Sequence, residues 1–303
     1  MHSRPTAGDW CLFALCVALW GSAYAMVRVA LHHGAGPWEI VAARLWLAAI
    51  FLNLVLAARR AAGLEPPRTP RARRKLLLMG ALGAAAPFWL YSWAQLSAPS
   101  GLVGLYAAVT PLLVAFLAPL FARGERMDAS RITGLCLGFA GVAALMGPSA
   151  LDAEHASVLA QGAAFLGAAC YAANTLLARG GVQIPPLEAA AGWTLFGALI
   201  ATPFAASEIV AGSRPEPLAW LAIAGLALGP TGIATIAYFQ LIRSTGPVFV
   251  TQTNYLMPLW ALALGAIAFQ EPIGPNAIAA LALIVFGLFI AQAGWRGLRP
   301  ATS

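Results

Sequence analysis

Charge is scarce in this chain. Lys, Arg, Asp and Glu make up 10% of its 303 residues, where a soluble domain carries about 25%. With 60% hydrophobic residues and a mean hydropathy of +0.78, most of the surface must face hydrocarbon. Long polar stretches are lacking too, which leaves no room for a sizeable soluble domain. Cysteine and histidine number four each, and no CxxC pair or Cys/His cluster has ligand spacing, so a disulfide framework and a zinc site are both disfavoured. Neither a metal nor a cofactor is expected. Cys11, Cys16, Cys136 and Cys170 all fall inside apolar stretches and read as buried thiols.

The apolar stretches also lack carboxylates at their centres. Asp9, Glu39, Glu125, Glu188, Glu208 and Glu271 all map to ends. A proton-coupled carrier needs a group that titrates within its pathway, and a binder of lipophilic cations would want a buried carboxylate; neither is visible. A phosphate-bearing solute would need several Lys or Arg at mid-depth, and these are missing as well.

What is present is a series of apolar runs of about 20 residues, the length that crosses a bilayer. Ten can be drawn: 10–31, 37–58, 76–96, 102–122, 131–148, 157–178, 187–206, 218–242, 248–269 and 276–294. The first has no small-residue cleavage site after it, so it reads as a retained helix rather than a signal peptide. The fold class expected is therefore an all-α integral membrane protein of ten transmembrane helices.

The net charge of +7 and pI near 9.7 invite a nucleic-acid reading, which the positions reject. Seven basic residues bracket the loop after span 2, from Arg59 to Lys75, and others follow spans 4, 6 and 8 or sit at the termini. Fifteen of the 18 Lys and Arg residues then lie on one side, and only Arg28, Arg44 and Arg214 do not. By the positive-inside rule both termini are cytoplasmic. The charge is topology, with some attraction to anionic lipid, and no nucleic-acid partner is expected.

The chain repeats itself. Gly21, Gly83, Glu125 and Gly141 recur 146 residues later as Gly167, Gly229, Glu271 and Gly287, and Pro111 returns as Pro258 with a one-residue slip. Each half holds five spans, an odd number, so the second half enters the membrane in the opposite sense. The division expected is a first repeat at 1–147, an exterior connector at 148–156 and a second repeat with its tail at 157–303. Such inverted repeats are the architecture of transporters that bind their solute between the halves. Pro87, Pro111, Pro230 and Pro258 sit at mid-depth in repeat-related spans. A mid-helix proline removes a backbone donor and bends the helix, tolerated in lipid where the freed groups meet protein or water. These four are the candidate hinges around a central cavity.

The residues Ala18-Leu19-Trp20-Gly21-Ser22 in span 1, Arg44 in span 2, the segment from Ser97 through Pro111 to Glu125, and its echo from Thr245 through Pro258 to Glu271 and Gly287 together resemble the drug/metabolite transporter superfamily, in its ten-helix EamA-type branch. The resemblance covers nearly the whole chain. It implies a carrier of small metabolites in the bacterial inner membrane, often an exporter, with amino-acid exporters, including those for aromatic amino acids, as the relatives most in view.

Polar and aromatic groups at membrane depth are costly unless they face protein or water. Trp20, Tyr24 and Arg28 form one stripe of span 1 at i, i+4, i+8, beside Gly21 and Ser22. Tyr91 and Gln95 share a face with Pro87 on span 3, and Tyr106 and Thr110 share one on span 4. Span 6 offers Tyr171 and Asn174, span 8 Thr231, Thr235 and Tyr238, and span 9 Thr251, Asn254 and Tyr255. The candidate substrate-binding set is Trp20, Ser22, Tyr24, Arg28, Tyr91, Gln95, Tyr106, Thr110, Tyr171, Asn174, Tyr238, Thr251, Asn254 and Tyr255. Spans 2, 5, 7 and 10 look plainer. Arg44, near Glu39, reads as a snorkelling side chain or an ion pair fixing helix ends, with a basic vestibule for a carboxylate as the alternative.

Rings, hydroxyls and amides suit neutral or zwitterionic solutes. The reading is export of amino acids by alternating access or facilitated diffusion, with a small-molecule substrate and membrane lipids as partners and a monomer sufficient to form the pathway. A multidrug exporter is the alternative. A membrane enzyme is the distant one, because His32, His33 and His155 share no catalytic spacing with a carboxylate.

Overall fold

A computed structural model describes residues 5–121, 129–146, 156–250 and 252–296. Glu125, Thr251 and all of the expected connector but Ala156 lie outside the described residues. Ten helical segments follow one another: α1 (Ala7–His32), α2 (Pro37–Ala61), α3 (Arg73–Ala94), α4 (residues 100–121), α5 (Ala129–Met146), α6 (Ala156–Arg179), α7 (Pro186–Val210), α8 (Pro217–Thr245), α9 (Thr253–Phe269, after a single turn Pro247–Val250) and α10 (Pro275–Arg296). No strand occurs among the described residues. By length and composition α1, α2, α3, α4, α7 and α8 can each cross a membrane, and α5, α9 and α10 hold shorter apolar cores. Helix α6 is 24 residues long and carries Gln161, Tyr171, Asn174 and Thr175 among its alanines.

The helix starts follow local chemistry. Thr6 caps α1 by accepting from Asp9 N, while the Asp9 carboxylate accepts from Thr6 N at 2.8 Å, the reciprocal pairing that satisfies orphan donors of a first turn. Helices α2, α7 and α8 open on proline, whose missing N–H is no loss there. Large apolar side chains such as Leu54, Val210 and Ile267 stand exposed on the outside, the arrangement of a multi-pass membrane protein whose solvent is lipid. Cys11 and Cys136 belong to this outer surface, contrary to the expectation that all four thiols are buried; a thiol sits comfortably against hydrocarbon.

The helix contacts of the first five helices have counterparts among the last five. Pairing α1 to α5 with α6 to α10 in order, each principal contact has its mate: α1 on α9 matches α6 on α4, α3 on α6 matches α8 on α1, and α3 on α7 matches α8 on α2. The pairs α2 with α7, α4 with α9 and α5 with α10 are their own mates. The repeated glycines explain the close approach. A Cβ on Gly287 would lie 2.5 Å from the Gly134 carbonyl oxygen, and one on Gly141 would lie 2.9 Å from the Ala280 carbonyl oxygen. Small residues let helix backbones touch where lipid supplies no hydrophobic drive. Ser130 Oγ adds a hydrogen bond to the Ile290 carbonyl at 2.8 Å, so α5 and α10 form a fixed seam.

Two polar clusters tie the ends. At the basic end the Glu188 carboxylate accepts from Arg60 Nη2 and from Thr69 N and Oγ1, and Lys75 Nζ donates to the carbonyls of Ala178, Gly180 and Val182. At the acidic end Glu271 accepts from Ser100 N at 2.7 Å and Gly101 N at 2.9 Å. The residue before that helix is Pro99, which has no side-chain acceptor, so a carboxylate from the other repeat caps α4.

Candidate functional site

The site is built on interrupted helices. Pro87 and Pro230 cannot donate to an α-helical ladder, and α3 and α8 widen to i→i+5 bonding over Ala81–Ala85 and Ala227–Ile233. Those two stretches begin 146 residues apart, the period of the repeat, and such wide turns recur at functional sites. In α4 a tight turn Ala107–Val109 precedes Pro111, whereas Pro258 lies inside α9, so that second proline pair is less alike.

Neighbouring helices engage the opened backbone of α8. Trp20 Nε1 of α1 donates to the Pro230 carbonyl at 2.9 Å, and Thr231 Oγ1 donates to the Leu226 carbonyl at 2.9 Å. Arg44 Nε of α2 donates to that same Thr231 hydroxyl oxygen at 2.7 Å, and its guanidinium lies 3.8 Å above the Phe88 ring of α3, a cation–π contact. In the opposite half, Gly83 of the α3 wide turn leaves room for the Asn174 amide of α6; a Cβ there would lie 2.6 Å from its nitrogen.

These interruptions surround a cavity of about 360 Å³ between the two halves. Of the expected set, Trp20, Tyr24, Tyr91, Gln95, Thr110, Tyr171, Asn174, Tyr238 and Asn254 line it together. Their rings form two groups. Trp20 meets Tyr238 at 5.2 Å between centroids, while Tyr91 stands 5.8 Å from both Tyr24 and Tyr171. Ser22, Arg28 and Tyr106 do not line it, because protein partners hold them. Ser22 Oγ accepts from Trp260 Nε1, Arg28 Nη1 donates to the Gln95 carbonyl at 2.6 Å, and the Tyr106 hydroxyl donates to Gln161 Oε1 at 2.8 Å. Thr251 and the side chain of Tyr255 lie outside the described residues.

Several lining atoms are buried without a hydrogen-bond partner among the described residues: both ends of the Gln95 amide, Asn174 Oδ1, and the Tyr91 hydroxyl, which faces Thr110 without completing a bond. Unpaired polar atoms at a cavity wall are where a solute can bond.

Sequence reasoning missed Phe88, Trp193, Thr175 and Met257 and kept Arg44 only as an alternative basic vestibule, yet all five line the cavity. Two of these come from α2 and α7, the helices that looked plain. A cue existed for Arg44. Glu39 precedes it by five residues, roughly 140° around a helix of 3.6 residues per turn, so the two point apart. The Glu39 carboxylate instead accepts from the Ser213 hydroxyl, at 2.5 Å.

Comparison with known proteins places this architecture. The model of the EamA-like transporter family matches residues 9–147 and again 159–292. The chain belongs to the EamA-like transporter family. Among its relatives, the Escherichia coli K12 inner membrane transporter YedA is 28% identical over 287 residues, covering 93% of this chain and 90% of that protein. The aromatic amino acid exporter YddG of Ancylobacter novellus is 30% identical over 211 residues, 67% of this chain and 70% of that one. A probable amino-acid metabolite efflux pump of Salmonella typhimurium is 23% identical over 97% of both chains. A solved crystal structure shares the fold with a TM-score of 0.64 at 22% identity, over 95% of this chain and 99% of that chain. As an EamA-type protein the chain is a membrane transporter.

Proposed function

We propose that this EamA-type transporter exports amino acids across a bacterial inner membrane, through a cavity that the two repeats expose in turn to either side, with both termini in the cytoplasm. The observation that carries the reading is the cavity of about 360 Å³ between the interrupted helices. Its size falls within the ~300–1,000 Å³ of small-molecule sites, and its walls combine aromatic rings with unpaired amides. The names of the Ancylobacter and Salmonella relatives support amino acids, and that of the E. coli relative supports the inner membrane.

The wide turns of α3 and α8 are the hinges in this reading. They place two wide-turn backbone stretches, one in α3 and one in α8, beside the solute. The described lining carries one cation and no carboxylate, which favours flux without a proton gradient in this reading.

Uptake of labelled amino acids into proteoliposomes, with and without an imposed pH gradient, tests this. Flux of several amino acids without the gradient is the expected result. Trp20→Ala, Tyr91→Ala and Asn254→Ala should each impair it while leaving the protein folded and inserted. Normal transport by all three would refute the cavity as the pathway, and absence of any amino-acid flux would refute the substrate class.

A further inference from the structure

Arg44 is the one charged side chain in the described lining of the cavity, and it is 7% exposed. No carboxylate pairs with it among the described residues. Its bonded partners are the Thr231 hydroxyl and the face of Phe88, both neutral. A guanidinium has five N–H donors, so four remain without an acceptor among the described residues. Burying a cation is expensive unless an anion answers it, and neutral contacts offset only part of that cost. The side chain is also held still, since Nε is pinned to the wide turn of α8 and the plane rests on a ring of α3. A fixed, buried guanidinium facing a void is a receptor for a planar anion, which it can bind through two parallel hydrogen bonds.

The same cavity offers the opposite polarity. Gln95 is fully buried with both its side-chain Oε1 and Nε2 unpaired, and Asn174 Oδ1 is unpaired too. The two side-chain oxygens are acceptors, suited to an ammonium group. Resting on the transport reading above, we infer that the cavity recognises both ends of an α-amino acid: Arg44 takes the carboxylate, and the Gln95 and Asn174 amides take the ammonium. Tyr24, Tyr91 and Tyr171 then flank the side chain. A lipophilic cation without a carboxylate leaves Arg44 unanswered and meets its repulsion, so it should bind less well than an amino acid. A phosphate ester, with about two charges to neutralise, finds a single cation.

Competition binding to the full chain in nanodiscs tests the assignment. Labelled L-phenylalanine, L-leucine and L-threonine are each displaced by the unlabelled amino acid, by its carboxamide, and by the matching acid without the amino group. Loss of a charge-assisted bond should weaken the carboxamide roughly tenfold or more, with the deaminated acid less affected. Arg44→Gln should bind acid and carboxamide alike, and Arg44→Lys should restore part of the preference. The wild-type comparison needs no variant to fold. Equal competition by amino acid and carboxamide would overturn this assignment while leaving amino-acid transport standing. Failure of every amino acid to bind or cross would overturn the transport reading and the assignment with it.

Discussion

Replacing Thr231 by valine should loosen the cavity wall without changing its shape. Valine keeps the branched volume and loses the hydroxyl, which accepts from Arg44 Nε at 2.7 Å and donates to the Leu226 carbonyl at 2.9 Å. Two buried groups therefore lose a partner at once. An orphaned buried group costs about 1–3 kcal/mol in proteins generally, whereas interhelical bonds in membranes average only about 0.6 kcal/mol, because the unfolded chain in lipid also finds partners. The cavity lets water approach the site, which favours the lower scale. The expected destabilisation is about 1–2 kcal/mol, the sum of two membrane-scale bonds with a premium for the charged donor.

Function should suffer more than stability, because Arg44 is then held only by Phe88. Thermal unfolding in detergent and amino-acid flux in proteoliposomes measure the two effects. Thr231→Ser keeps the hydroxyl and should recover flux. Wild-type flux in Thr231→Val would show that the bond does not position Arg44, and a serine variant as poor as the valine one would show that the methyl group, not the hydroxyl, matters.

Other substitutions probe the frame. Glu271→Ala removes the carboxylate that accepts from Ser100 N, Ser100 Oγ and Gly101 N, and should cost about 2 kcal/mol, the upper end for a lost helix cap, read by unfolding in mixed micelles; a change below half a unit would deny the cap across the repeats. Gly287→Val puts a Cβ about where the Gly134 and Gly138 backbone stands, so the α5–α10 seam should open and the protein should elute as aggregate in size exclusion. Gly162→Ala, whose Cβ would meet nothing within 4 Å, is the control and should melt no lower than wild type. Trp20→Phe loses the 2.9 Å bond to the Pro230 carbonyl while keeping a ring beside Tyr238. It should lower flux several-fold and stability by about 1 kcal/mol, checked by parallel flux and melting curves.

The membrane character and the all-helical architecture were legible in the sequence because they follow from a one-dimensional property, hydropathy over about 20 residues. The stripe of Trp20 and Tyr24, the face of Tyr91 and Gln95, and the pair Tyr171 and Asn174 could also be read, since helical spacing fixes which residues share a face. It does not fix where that face points. Ser22, Arg28 and Tyr106 lie on the right helices, yet Trp260, the Gln95 carbonyl and Gln161 hold them, partners far away in the chain.

Arg44 is the clearest case of what only the tertiary structure decided. In sequence it is a charge near a helix end, with Glu39 close by and no rule to aim it inward. The α2–α7 packing turns it toward the centre, the wide turn at Pro230 presents Thr231 to it, and α3 lays Phe88 beneath it. Each of those contacts joins residues from different spans, so the identity of the cavity's cation is a property of helix rotation and depth. Local spacing along the chain contains neither.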